Sequence, residues 1–86
     1  MKKIKYSKKF VKSYSKLPLK IRNKVDKQLR YLVEDFHYPS LRTKKMDAVG
    51  RWEARVDRFY RFTFDLIDET IFLLTLGTHD EGLGKK

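Results

Sequence analysis

Two hydrophobic periods divide the chain, a helical one before His37 and a strand one after Gly50. Lys2 to Tyr6 alternates weakly, with Ile4 and Tyr6 on one side, which predicts a short first strand, and Ser7 stands where a helix N-cap would. Phe10, Tyr14 and Leu17 then fall at i, i+4 and i+7, one face of a helix over Lys8 to Leu17 that Pro18 breaks. Pro18 can itself serve as the first residue of the next helix. That second helix, about Leu19 to Phe36, places Ile21, Val25, Leu29, Leu32 and Phe36 on one stripe, with Lys20, Arg22, Lys24, Lys27 and Arg30 on the rest of its surface. Two helices joined by a tight turn form an antiparallel hairpin whose apolar stripes cover one face of a sheet.

Beyond Gly50 three strands are expected: Arg51 to Asp57, Phe59 to Leu66 and Thr70 to Gly77, with Asp68-Glu69 a turn. Trp52, Ala54 and Val56 mark the apolar face of the first, and Tyr60, Phe62, Phe64 and Leu66 that of the second, since side chains in a strand alternate. A hairpin through Asp57-Arg58-Phe59 that keeps both apolar sets together sets Ala54 opposite Phe62 and Arg55 opposite Arg61. Like charges directly across a ladder repel, so this face is suited to an anion, phosphate above all. The last strand, Ile71-Phe72-Leu73-Leu74-Thr75-Leu76, is apolar on both faces, as expected of one with neighbours on either side.

The fold class that follows is α+β, in the order β-α-α-β-β-β: a helical hairpin packed on one face of a small, mostly antiparallel twisted sheet. Its other face, bearing Arg55 and Arg61, is left for solvent or ligand. His37 to Gly50 lacks a sustained period and reads as a basic loop carrying Arg42, Lys44 and Lys45. No internal repeat or low-complexity tract divides residues 1–86, so one domain is expected, with residues 82–86 a flexible tail.

The 86 residues carry 21 Lys and Arg against 11 Asp and Glu, a net charge of +10, and this balance points to a polyanionic partner. Cysteine is absent, which excludes disulfides and thiolate chemistry, and with only His37 and His79 a histidine-rich metal site is not expected. No cofactor is implied. The apolar stretches are interrupted by charges, and Met1-Lys2-Lys3 is not followed by the run of about 7 to 15 apolar residues of a signal peptide, so a cytoplasmic location without membrane association is the expectation.

The segments Pro39-Ser40-Leu41-Arg42-Thr43-Lys44-Lys45-Met46, Gly50-Arg51-Trp52-Glu53-Ala54-Arg55-Val56, Phe59-Tyr60-Arg61-Phe62 and Leu76-Gly77-Thr78-His79-Asp80-Glu81, in that order, resemble the RelE/ParE superfamily of bacterial toxin-antitoxin toxins. The resemblance implies a small toxin, neutralised by a wrapping antitoxin, whose best-known members enter the ribosomal A site and cut messenger RNA without a metal. A second branch poisons DNA gyrase without cutting, and an inactive RNA- or antitoxin-binding module is a third reading. In the cutting branch the resemblance puts the arginine that contacts the scissile phosphate at Arg61, a basic residue before the late strands at Lys44 or Lys45, and a residue just after the last strand at His79. The chain departs from many cutting members in having no tyrosine after Tyr60, and from one subgroup in having no glutamate around Pro39 and Ser40.

Cutting RNA through its own 2′-hydroxyl requires a group to take that proton, a cation for the developing phosphorane charge and an acid for the 5′-oxygen. Arg61 and Arg55 meet the second need, because a guanidinium fits two phosphate oxygens and stays protonated. His79 suits proton transfer near neutrality. Glu53 shares a face with Arg55 and Thr63; a salt bridge buttressing the arginines is its first reading and a general base its second. Arg42, Lys44, Lys45, Arg51 and Arg58 are candidate contacts to flanking phosphates, and Phe59 a platform on which a base could stack. The partners so implied are messenger RNA and the ribosome, and an acidic, partly disordered antitoxin.

Overall fold

A computed structural model describes residues 2–35, 37–46 and 51–78. Along the chain run β1 (Lys3–Tyr6), α1 (Lys8–Ser15), α2 (Leu19–Glu34), a 3-10 turn (Pro39–Leu41), β2 (Lys44–Lys45), β3 (Arg51–Arg55), β4 (Tyr60–Ile67) and β5 (Thr70–Thr78). The five strands form one sheet in the order β1-β5-β4-β3-β2. Only β1 runs parallel to its neighbour, β5; the other pairings are antiparallel. The expected α+β class and element order are therefore observed, with β5 flanked on both sides. Within the segment expected to be a plain basic loop, the chain adds the 3-10 turn and the two-residue β2.

Ser7 caps α1, its Oγ accepting the Phe10 N–H at 3.0 Å and donating to the Leu74 carbonyl at 2.8 Å. The same side chain thus closes a helix end and ties it to β5. Pro18 precedes α2 as its N-cap rather than lying inside its first turn, with its backbone extended at φ −59°, ψ 152°. Its carbonyl accepts the N–H groups of Ile21 and Arg22 at 3.0 Å each, so the missing proline N–H costs the helix nothing. The last residue expected in α2, Phe36, lies outside the described residues.

The core lies between the helices and one sheet face, and joins Phe10, Val25, Leu29 and Leu32 to Phe62, Phe64, Ile71, Leu73 and Leu76. Phe10 meets Phe62 edge to face, with ring centres 6.4 Å apart; truncating a buried ring of this kind costs about 3–5 kcal/mol. Trp52 packs against this core but remains half-buried. A register shift at Thr63/Phe64 pairs Phe64 with Leu73 and Thr63 with Thr75, leaving Leu74 as an extra residue in β5. Because of it, Leu73 and Leu76, three apart, both pair with residues of the apolar face, Phe64 and Phe62.

Candidate functional site

The β3–β4 ladder sets Ala54 opposite Phe62 and Arg55 opposite Arg61, the register expected from the alternation. Two rows of side chains consequently cross the face away from the helices. Lys44, Glu53, Thr63 and Thr75 make one row, and Arg55, Arg61 and Gly77 the next. Gly77 has no side chain, so Arg61 is crowded by a like charge on one side only.

Glu53 and Thr63 are buried at 4% exposure each, so this face is recessed rather than bare. The Thr63 and Thr75 hydroxyls share a hydrogen bond at 2.6 Å. Arg61 Nη1 lies 3.4 Å from Glu53 Oε2, the buttressing ion pair that was the first reading of Glu53. One carboxylate cannot use all the donors present. The Nε groups of Arg55 and Arg61 are buried and have no hydrogen-bond partner among the described residues, a state that a bound anion would relieve.

These residues open on a cleft of about 670 Å³ lined by Pro39, Arg42, Thr43, Lys44, Glu53, Ala54, Arg55 and Arg61. Four cations thus surround one carboxylate. Arg42 reaches the cleft through a left-handed backbone, φ 48° and ψ 48°, just after the 3-10 turn, a conformation that costs a residue with a Cβ about 1–2 kcal/mol.

Gln28 holds that turn in place. Buried at 4% exposure, its Nε2 donates to the carbonyls of Ser40 at 3.1 Å and Arg55 at 2.8 Å, while Ser40 Oγ donates to its Oε1 at 3.1 Å. The cleft wall and the end of β3 are joined through this one amide. Sequence reasoning passed over Gln28, although it sits three residues after Val25 and four before Leu32, on the apolar stripe, where a polar residue signals a buried hydrogen-bonding task.

The other candidates lie apart from the cleft. Lys45 pairs with Trp52 and so belongs to the opposite parity from Lys44. Arg51 makes an ion pair with Asp65 at 3.4 Å. Arg58 and Phe59 occupy the β3–β4 turn, the guanidinium 5.6 Å from the ring centre and Phe59 63% exposed. Asp57 shapes this turn by accepting the N–H groups of Phe59 and Tyr60 at 2.9 Å each. Burial pushes its carboxyl up, but those N–H groups and the Lys24 ammonium outweigh burial and hold it below its ordinary value. His79 and residues 82–86 lie outside the described residues. Among the described residues no cluster of three or more His, Cys, Asp or Glu is arranged to hold a metal, and no helix is long and apolar enough to cross a membrane.

A helical hairpin on one face of a five-stranded, mostly antiparallel sheet is a fold that this chain shares with solved toxin structures. A YoeB/ParE toxin from Agrobacterium tumefaciens is similar at a TM-score of 0.78 and 12% identity, over 90% of this chain and 98% of that one. The toxin in the intact RelBE toxin-antitoxin complex of Escherichia coli is similar at a TM-score of 0.72 and 18% identity, over 91% and 96%. YafQ of Escherichia coli gives 0.73 and 22% identity, over 92% and 94%. No family model matches the chain, and no curated protein matches it in sequence.

Proposed function

We propose that this chain is the toxin of a toxin-antitoxin pair and acts as an endoribonuclease on messenger RNA in the ribosome. The observation that carries the reading is the recessed cleft in which Arg42, Lys44, Arg55 and Arg61 surround a single carboxylate. In the proposed reaction the 2′-oxygen attacks the adjacent phosphorus, the bond from phosphorus to the 5′-oxygen breaks, and the products are a 2′,3′-cyclic phosphate and a 5′-hydroxyl. Arg61 binds the phosphorane oxygens, with Arg55, Lys44 and Arg42 as supporting cations. Glu53 orients Arg61, and its carboxylate is also a candidate to receive the 2′-hydroxyl proton. His79 is assigned the proton transfer to the leaving 5′-oxygen. Lys45, Arg51, Arg58 and Phe59, outside the cleft lining, contact flanking RNA.

An acidic antitoxin is the proposed protein partner, supported by the excess of positive charge and by the likeness to a toxin crystallised in the RelBE complex. The proposed setting is the cytoplasm, where messenger and ribosomes are found.

Purified protein incubated with programmed ribosomes tests the assignment. Wild type is expected to cut the message and Arg61→Ala to cut about 100-fold more slowly or worse, with Arg61→Lys between them because lysine lacks the paired donors. An intact message with wild type, or equal cutting by Arg61→Ala, rejects the reading; DNA breaks in cells together with an uncut message would identify a gyrase poison instead.

A further inference from the structure

A second cleft, of about 400 Å³, lies across the 3-10 turn from the first, bordered by Lys24, Lys27, Tyr31, Tyr38, Ser40 and Arg58 among others. Pro39 lines the first cleft and Ser40 the second, so the ridge between them is one residue wide, about 3.8 Å between adjacent Cα atoms. Arg55 borders both. Charge in the second cleft is only partly compensated: Lys24 is paired with Asp57 at 3.2 Å, while Lys27 and Arg58 pair with no carboxylate among the described residues. Beside them the rings of Tyr31 and Tyr38 are stacked, centres 4.0 Å apart and planes 17° from parallel. Tyr38 keeps 37% exposure, so part of the stack meets solvent. The hydrogen bond from Tyr31 raises the Tyr38 phenol above its ordinary value.

We infer that this second cleft holds a neighbouring nucleotide of single-stranded RNA, its phosphate between Lys27 and Arg58 and its base extending the Tyr31–Tyr38 stack. Cations alone would serve any anion, but stacked rings beside them select a flat, anionic chain, since a base gains about 1–3 kcal/mol from an aromatic platform. The inference rests on the ribonuclease reading and deepens it. The one-residue ridge lets consecutive nucleotides occupy consecutive clefts, with the scissile phosphate at Arg61 and the next one beyond Ser40.

Anisotropy titrations of fluorescein-labelled oligoribonucleotides with two and six residues test it on the full chain. The relevant variants are Lys27→Ala/Arg58→Ala, Tyr38→Ala and Arg61→Ala, each checked for its fold by circular dichroism. The double variant is expected to weaken hexanucleotide binding about 10-fold or more and to flatten its salt dependence by about one phosphate contact, leaving the dinucleotide within about twofold. Tyr38→Ala should lose about fivefold or more on the hexanucleotide alone, and Arg61→Ala should weaken both probes. Hexanucleotide binding unchanged in the double variant and in Tyr38→Ala, with Arg61→Ala still impaired, overturns the second cleft and leaves the ribonuclease reading standing. Equal losses on both probes also overturn it as a separate subsite. No hexanucleotide binding by wild type also overturns the second cleft as an RNA subsite, and a message left uncut on programmed ribosomes overturns the ribonuclease reading with it.

Discussion

Replacing Gln28 with leucine, close to it in volume, removes three hydrogen bonds that hold the cleft wall to the end of β3. At about 1 kcal/mol net for each, the loss would be about 3 kcal/mol. Ser40 is exposed, so water can take over at its hydroxyl and carbonyl, whereas the Arg55 carbonyl faces a leucine with nothing to donate. We therefore expect a net loss of about 2 kcal/mol. For a chain of this length that corresponds to a fall of about 8–16 °C in Tm, and urea denaturation should show a lower midpoint at unchanged slope. Ser40→Ala, which removes a single bond, should cost less than about 1 kcal/mol. The same bonds fix the turn that delivers Arg42, so RNA affinity should fall along with stability in Gln28→Leu. A variant as stable as wild type would refute the accounting of bonds; one that is destabilised yet binds RNA unchanged would refute the coupling of turn to cleft.

Two further substitutions separate stability from function. Arg42→Gly frees a left-handed position of its Cβ and should raise stability by up to about 1 kcal/mol after the extra flexibility of the unfolded chain is set against it, while reducing the slope of RNA affinity against salt by about one contact; lower stability would show that the side chain braces the turn. Asp57→Asn keeps an oxygen for the Phe59 and Tyr60 N–H groups but loses the charge. Because the folded carboxyl lies below its ordinary value near 3.8, the stability advantage of wild type should be full above that pH and vanish as pH falls through the lowered value. An advantage independent of pH in acid denaturation curves would contradict the assignment.

The β3–β4 register was legible because period two keeps Trp52, Ala54, Phe62 and Phe64 on a common face and a turn through Asp57-Arg58-Phe59 selects one such pairing, with Arg55 opposite Arg61 as its by-product. Helix limits were readable to within about two residues, from Ser7 and from the spacing of Phe10, Tyr14, Val25, Leu29 and Leu32. Two residues of β2 are too few to show any period. The register shift at Leu74 was hidden by a continuous apolar run, in which Ile71, Leu73 and Leu76 fit either parity. Of the site, strand parity yielded Arg55, Arg61 and Glu53, since their shared face follows from alternation alone. Separating Lys44 from Lys45, and finding Gln28 beneath Arg42, depended on contacts between distant segments that no local pattern encodes.

Ser7 bonds to Leu74 across 67 positions, and among the described residues β1 finds its only strand neighbour in β5. A nascent polypeptide halted short of Thr70 therefore leaves its first strand unpaired and lacks Ile71, Leu73 and Leu76 to cover Phe10 and Phe64. Assembly has to wait for the final stretch to leave the exit tunnel, as long-range pairing generally demands. Copies terminated before Thr70 therefore cannot complete the sheet face that carries Arg55 and Arg61.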